Sequence, residues 1–223
     1  GAHGAHGRAA AHGRAADVSA VRDIVVATGN PHKVEEIRAI LAPLGVVLRG
    51  LDEVGGPFPE PEETGRTFEA NARIKAVAYA KATGRVVLAD DSGLEVDALG
   101  GEPGVDSAVW AGAEGARAER DARNNAKLRE RMARVPTDRR AARFVCCMCL
   151  ADADGHVLAT TSGTFEGRIG EAPRGDHGFG YDPWLWLDDA GCSSAELAPE
   201  AKNLRSHRGH AARAMAEAIR RLG

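Results

Sequence analysis

The sequence has no apolar run long enough to cross a bilayer. Its longest, Phe144 to Ala151, falls far short of the roughly 20 residues that a spanning helix needs. It also lacks an opening segment of positive charge followed by an apolar stretch, the mark of a secretory signal. Charge of one sign is missing too: 32 acidic residues face 29 basic ones, a formal net charge of −3. That balance gives no reason to expect a nucleic acid or an anionic membrane as partner, so any anion binding has to come from local clusters. Cysteine is scarce. Of Cys146, Cys147, Cys149 and Cys192, three share one apolar run whose neighbours point to opposite faces of a sheet, and two pairs at zinc-ligand spacing cannot be drawn. Buried free thiols and a cytoplasmic protein are the expectation.

What is present suits one globular unit: 223 residues, 43% of them hydrophobic. Residues 1–20 repeat Gly, Ala, His and Arg with almost nothing to bury, and read as a disordered or expression-derived tail. Residues 21–223 read as a single domain. The segment Val86-Val87-Leu88-Ala89-Asp90-Asp91-Ser92-Gly93-Leu94 is a β-branched run that meets two carboxylates, a hydroxyl and a glycine. It is either a buried strand delivering oxygen ligands to its end or an Asp-rich turn.

Ile24 to Ala27, Thr28-Gly29-Asn30-Pro31-His32-Lys33 and an apolar spacing of Val34, Ile37, Ile40, Leu41 and Leu44 spell strand, tight loop and helix. Asn30 suits an N-cap and Pro31 the first helical position, so backbone N–H groups, the positive end of the dipole and Lys33 meet at one loop. A second helix over about Thr67 to Ala82, closed by Gly84, puts Asn71 and Lys75 four residues apart on one face. Such a lysine snorkels at the surface unless an anion site faces it. Glu62 and Glu63 stand in the exposed loop before it. Phe179, Gly180, Tyr181 and Asp182 lie among glycines in a loop that offers either a stacking platform for a base or an aromatic folded back onto the core. Near the end come Lys202 and then Ser206-His207-Arg208, with Ser206 placed to cap the last helix.

Five segments in this order resemble the inosine triphosphate pyrophosphatase family over about Ile24 to Leu222: Ala27-Thr28-Gly29-Asn30 with Lys33; Glu63-Thr64-Gly65 with Thr67-Phe68, Asn71-Ala72 and Lys75; Ala89 to Leu94; Gly178 to Pro183; and Ser206-His207-Arg208. The resemblance implies an α/β fold with an elongated mixed sheet flanked by helices, two lobes with a substrate cleft between them, a homodimer and dependence on Mg²⁺. It implies hydrolysis of ITP, dITP and XTP to the monophosphate and pyrophosphate. One departure is visible: the family often has Glu directly before the Asn-Ala pair, where this chain has Ala70, with Glu69 one place earlier.

Carried onto these positions, the chemistry needs cations, positioned donors and a base around a polyanion. Glu62 and Asp91 are the expected holders of Mg²⁺, with Glu63 as companion or alternative to Glu62, and Asp91 is also the expected general base. Lys33, Lys75, Thr28, Gly29 and Asn30 would hold phosphates together with Ser92, and Asn71 belongs to the same substrate-binding set. Lys202, His207 and Arg208 would donate to the C6 oxygen of a keto purine, Phe179 would stack on its ring, and Gly180, Tyr181 and Asp182 would shape the pocket. A pyrimidine nucleoside triphosphate pyrophosphatase and a non-catalytic nucleotide-binding protein are the alternative readings.

Overall fold

The computed structural model describes residues 22–222; the expected tail over residues 1–20 lies outside them. Within them a single mixed sheet of seven strands runs β2-β1-β3-β4-β5-β6-β7. Its members are β1 (Asp23–Ala27), β2 (Val47–Gly50), β3 (Val86–Val96), β4 (Ala141–Ala151), β5 (Val157–Ile169), β6 (Leu185–Leu187) and β7 (Cys192–Ser193). β1 pairs in parallel with β2 and β3, and from β3 onward every pairing is antiparallel. The α/β class, with helices on a mixed sheet, is therefore as expected.

Alternation along the central strands sends side chains to two separate layers. On one face Ile24, Val26, Leu88, Cys146, Met148 and Leu150 pack with α1 (Pro31–Leu41) and α5 (His207–Leu222), which contribute Ile37, Leu41, Ala211 and Met215. On the other face Val25, Val87, Ala89, Cys147 and Cys149 meet α2 (Phe68–Thr83) through Phe68, Ala72, Ala76 and Tyr79. Burying each Leu or Ile of this kind contributes about 1.5–3 kcal/mol. Beyond the sheet's middle, Leu94, Phe144, Phe165, Tyr181 and Trp184 gather around Leu128 and Met132 of α3 (Arg117–Met132). The short α4 (Pro199–Arg205) leads into α5.

The helix ends follow local chemistry. The Asn30 side chain accepts the His32 N–H at 3.2 Å with Pro31 at the first helical position. Thr67 caps α2 by accepting the Ala70 N–H at 3.1 Å, and Gly84 closes it in the left-handed conformation. Ser206 Oγ accepts the Gly209 N–H at 3.0 Å and opens α5. That helix start can lie against β5 because Gly163 has no side chain: a Cβ there would stand 2.4 Å from the His207 carbonyl oxygen. All four cysteines are free thiols, and Cys146, Cys147 and Cys149 are buried. Burial pushes the Cys147 thiol up to about 11.

Candidate active site

β1 stops at Ala27, opposite Ala89, while β4 continues to pair with β3 as far as Val96. Asp90, Asp91 and Ser92 thus lie inside β3 and not at its end, a correction to the expected strand boundary. The physical reason is that the ladder uses backbone groups, and the Asp-Asp-Ser-Gly run keeps its partners Cys146, Cys147 and Met148 whatever its side chains are. What ends there is the neighbouring strand. Past Ala89 the β1 side of β3 is open, and the two acids, pointing to opposite faces, border the same gap.

Asp90 points toward α1 and α5. Lys33 Nζ donates to its Oδ2 at 2.8 Å, Ser92 Oγ stands at 3.3 Å and Arg208 Nη2 at 3.6 Å. Burial works against this carboxylate, but Lys33 and Arg208, with Lys75, outweigh it and hold the group well below the usual range. Arg208, 1% exposed, also donates to Ser92 Oγ at 2.9 Å and pairs with Glu36 of α1.

Asp91 points toward α2, where Lys75 Nζ donates to its Oδ1 at 3.1 Å and lies 3.1 Å from Glu63 Oε2. Burial raises the Asp91 carboxyl above its ordinary value, Lys75 opposes the rise and Glu63 adds to it. Lys75 is held protonated despite its burial by Asp91, Asp90 and Glu63. Each lysine feels both acids across the gap, since Lys33 also acts on Asp91. Asp91 Oδ2 is buried without a hydrogen-bond partner. A hard oxygen donor left bare beside a second carboxylate fits a divalent cation such as Mg²⁺. Among the described residues the grouping of three ligand-type side chains within 4.8 Å of one another is elsewhere, at Asp152, Asp154 and His156 in the β4–β5 turn.

The aromatic loop closes over the α1/α5 side. Asp182 fixes it: its carboxylate accepts the Phe179 N–H at 2.9 Å, the Lys202 ammonium at 2.8 Å and the Ser194 hydroxyl at 2.8 Å. Gly178 sits at φ +80°, where a Cβ would strike Asp182. Phe179 lies half-buried among cations, with Arg117, Lys202 and Arg208 at 5.2, 5.5 and 5.8 Å from its ring centre. His207 stacks on Phe144 at 5.1 Å. Its burial, reinforced by Arg208 and Lys202, holds the imidazole pKa well below the ordinary histidine value and favours the neutral ring. His207 Nδ1, Arg208 Nε, Asn30 Nδ2 and Asp90 Oδ1 are buried without partners, like Asp91 Oδ2. Such groups are rare in folded proteins and costly when left bare. Their concentration here marks a place built for a polar ligand.

A family model described as the Ham1 family matches residues 24–218. The chain belongs to the Ham1 family. The dITP/XTP pyrophosphatase of Thermus thermophilus is 50% identical over 197 residues, covering 88% of this chain and 91% of that protein. The dITP/XTP pyrophosphatase of Pseudomonas aeruginosa is 47% identical over 204 residues, 91% of this chain and 98% of that one. Among solved structures, a HAM1 protein from Coxiella burnetii superposes with a TM-score of 0.79 at 36% identity, covering 89% of this chain and 98% of its own.

In this Ham1-family chain the expected site residues fall into three groups. Lys33, Ser92, Phe179, Asp182, Lys202 and Arg208 are joined by the contacts around Asp90, with His207 next to Arg208, while Lys75 and Asp91 pair on the opposite face of β3 and meet that set where Asp91 adjoins Asp90. Thr28, Gly29 and Asn30 form the turn before α1, but the N–H groups of Thr28, Asn30, His32 and Lys33 already have acceptors within it. The turn therefore presents Lys33 and the helix dipole more than bare donors. Asn71 accepts the Gly65 N–H at 2.8 Å and anchors the acidic loop, the Tyr181 hydroxyl donates to the Ser107 carbonyl at 2.9 Å, and the Gly180 carbonyl accepts from Asn125 Nδ2 at 3.0 Å. Glu62 is exposed, whereas Glu63 reaches Lys75. Asp90, in the sequence one of two acids offered as oxygen ligands, is the partner of Lys33, and Glu36 and Arg117 join the site without a role assigned from the sequence. Glu36 was within reach, because it stands three residues after Lys33 on the same helix face; Arg117 had no local signal.

Proposed function

We propose that this chain hydrolyses non-standard purine nucleoside triphosphates, dITP, XTP and ITP, to the monophosphate and pyrophosphate. The observation that carries the reading is the convergence of Lys33 and Lys75 on Asp90 and Asp91, beside buried, unpaired Arg208 Nε and His207 Nδ1. One end of that site suits a polyphosphate and the other a base with an acceptor oxygen. The relatives named dITP/XTP pyrophosphatase support the same substrate class.

In this reading Lys33 and Lys75 hold the phosphates and Ser92 adds a hydroxyl. Water attacks the α-phosphorus while Asp91 takes its proton, and the bond to the oxygen bridging α and β breaks, so pyrophosphate leaves. Burial suits Asp91 to this role, because a carboxylate with a raised pKa accepts a proton more readily. Asp91 with Glu63 or Glu62 would hold Mg²⁺, which when bound supplies positive charge against the polyphosphate. At the base, a neutral His207 donates from one nitrogen only, and Arg208 donates from Nε. Adenine, with an amino group at C6, leaves those donors unpaired, which discriminates by about 10⁴-fold or more where binding relies on them. A homodimer in the cytoplasm goes with the same reading.

The test is pyrophosphate release by the full chain from ITP, dITP, XTP, ATP and the pyrimidine triphosphates, with and without Mg²⁺. Release from the keto purines with kcat/KM about 10⁴-fold above ATP is expected. Equal values for ATP and ITP would remove the donor site from the account, a pyrimidine preference would establish the first alternative, and binding without turnover the second.

A further inference from the structure

We propose that His32 is the second wall of the base site, so that the purine ring is held between His32 and Phe179 and not on Phe179 alone. The inference deepens the triphosphate hydrolysis proposed above and rests on it. His32 is the second residue of α1, and its N–H is fixed by the Asn30 side chain at 3.2 Å. Its imidazole lies nearly parallel to the Phe179 ring, with centroids 5.8 Å apart and planes 17° apart. One ring thus comes from the helix that carries Lys33, the other from the loop held by Asp182. The pair spans the phosphate side and the base side of the site.

His32 is exposed and Phe179 half-buried, and three observations tie their stack to the site. Phe179 is also met by Lys202 and Arg208, and Arg208 is 1% exposed with its Nε unpaired. A buried donor therefore borders the same ring that stacks on His32. His32 directly precedes Lys33, whose ammonium meets Asp90, so a ring placed against His32 has its triphosphate next to the phosphate cations. Finally, Phe179 stands between Gly178 at φ +80° and Gly180 at φ +61°, left-handed positions that glycine adopts without strain and that set the angle of the ring. A sandwich needs about 7 Å between the outer ring planes, two contacts of about 3.5 Å each, more than the 5.8 Å between the two centroids, so the pair parts when a base enters. Aromatic faces suit this because stacking accepts any purine while Arg208 and His207 read its edge.

The experiment compares wild type, His32→Ala and His32→Phe as full chains, with dITP as substrate and inorganic tripolyphosphate as a competitor that lacks a base. His32→Ala is expected to raise KM for dITP about 10-fold, from one lost stacking face, with kcat within about threefold. His32→Phe should return KM close to wild type, and the inhibition constant of tripolyphosphate should stay unchanged in both variants. An unchanged KM in His32→Ala overturns the proposal, as does failure of His32→Phe to restore it. Equal weakening of tripolyphosphate also overturns it, since that would assign His32 to the phosphate side. A wild-type chain inert toward dITP, ITP and XTP would instead bring down the proposed function, and this inference with it.

Discussion

Asp90→Asn tests the electrostatic account of the site most directly, because the amide keeps the carboxylate's shape while removing its charge and turning one acceptor oxygen into a donor. The groups involved are buried: Asp90 and Arg208 are almost fully enclosed, and the Lys33 side chain is 14% exposed. Removing one partner from a buried pair costs about 3–5 kcal/mol when the remaining charge is left bare. Here Arg208 keeps Glu36 and Lys33 reaches solvent at its tip, so about 2–3 kcal/mol is expected, or a fall in Tm of about 5–10 °C for a chain of this size. Urea unfolding at pH 7 with an unchanged m-value would measure it. The pH dependence supplies a second reading with a fixed sign. The fold holds Asp90 below its ordinary value of 3.8, so its stabilisation is complete above that value and fades as pH falls toward the folded one. Between pH 6 and pH 3.5 the gap between wild type and variant should narrow by about 0.6 kcal/mol. A variant within 0.5 kcal/mol of wild type at pH 7, or a gap that widens in acid, would refute the account.

Asp91→Asn should lower kcat by at least about 100-fold in the pyrophosphate assay while leaving Tm level or slightly raised, since it removes a buried charge that burial and Glu63 disfavour; near-native kcat would remove Asp91 from the role of base. Mg²⁺ at tenfold its dissociation constant should stabilise wild type by about 1.4 kcal/mol, about 3–5 °C in a thermal scan, and Asp91→Asn far less; chelation should stop pyrophosphate release, and equal thermal shifts in both proteins would place the metal elsewhere. His207, buried and neutral, has a folded pKa below its unfolded value of about 6.5, so unfolding takes up a proton in acid and stability is lost as pH falls below that value. Wild type should lose about 1 kcal/mol more than His207→Gln between pH 7 and pH 5.5 in urea titrations; parallel losses would mean that His207 is protonated in the fold.

The sequence by itself determined whatever is decided within a few residues. Asn30, Thr67 and Ser206 cap their helices because a short polar side chain reaches the next free N–H in any context. The thiols of the Cys146 to Cys149 run divide between two faces because a strand alternates. The motif order placed the chain in its family, and many of the residues it singled out lie in two contact clusters on either side of Asp90 and Asp91. Tertiary structure decided the rest. Neither the continuation of β3 through its acids nor the end of β1 at Ala27 is written in either strand alone; both depend on which backbone lies alongside. That early stop of one neighbour opens the gap where an acid from each face, Lys33 from α1 and Lys75 from α2 come within electrostatic reach. The pairing of Glu36 with Arg208 and the stacking of His32 on Phe179 have the same origin: each joins residues from opposite ends of the chain, and only packing of α1 against α5 and the aromatic loop sets their distance.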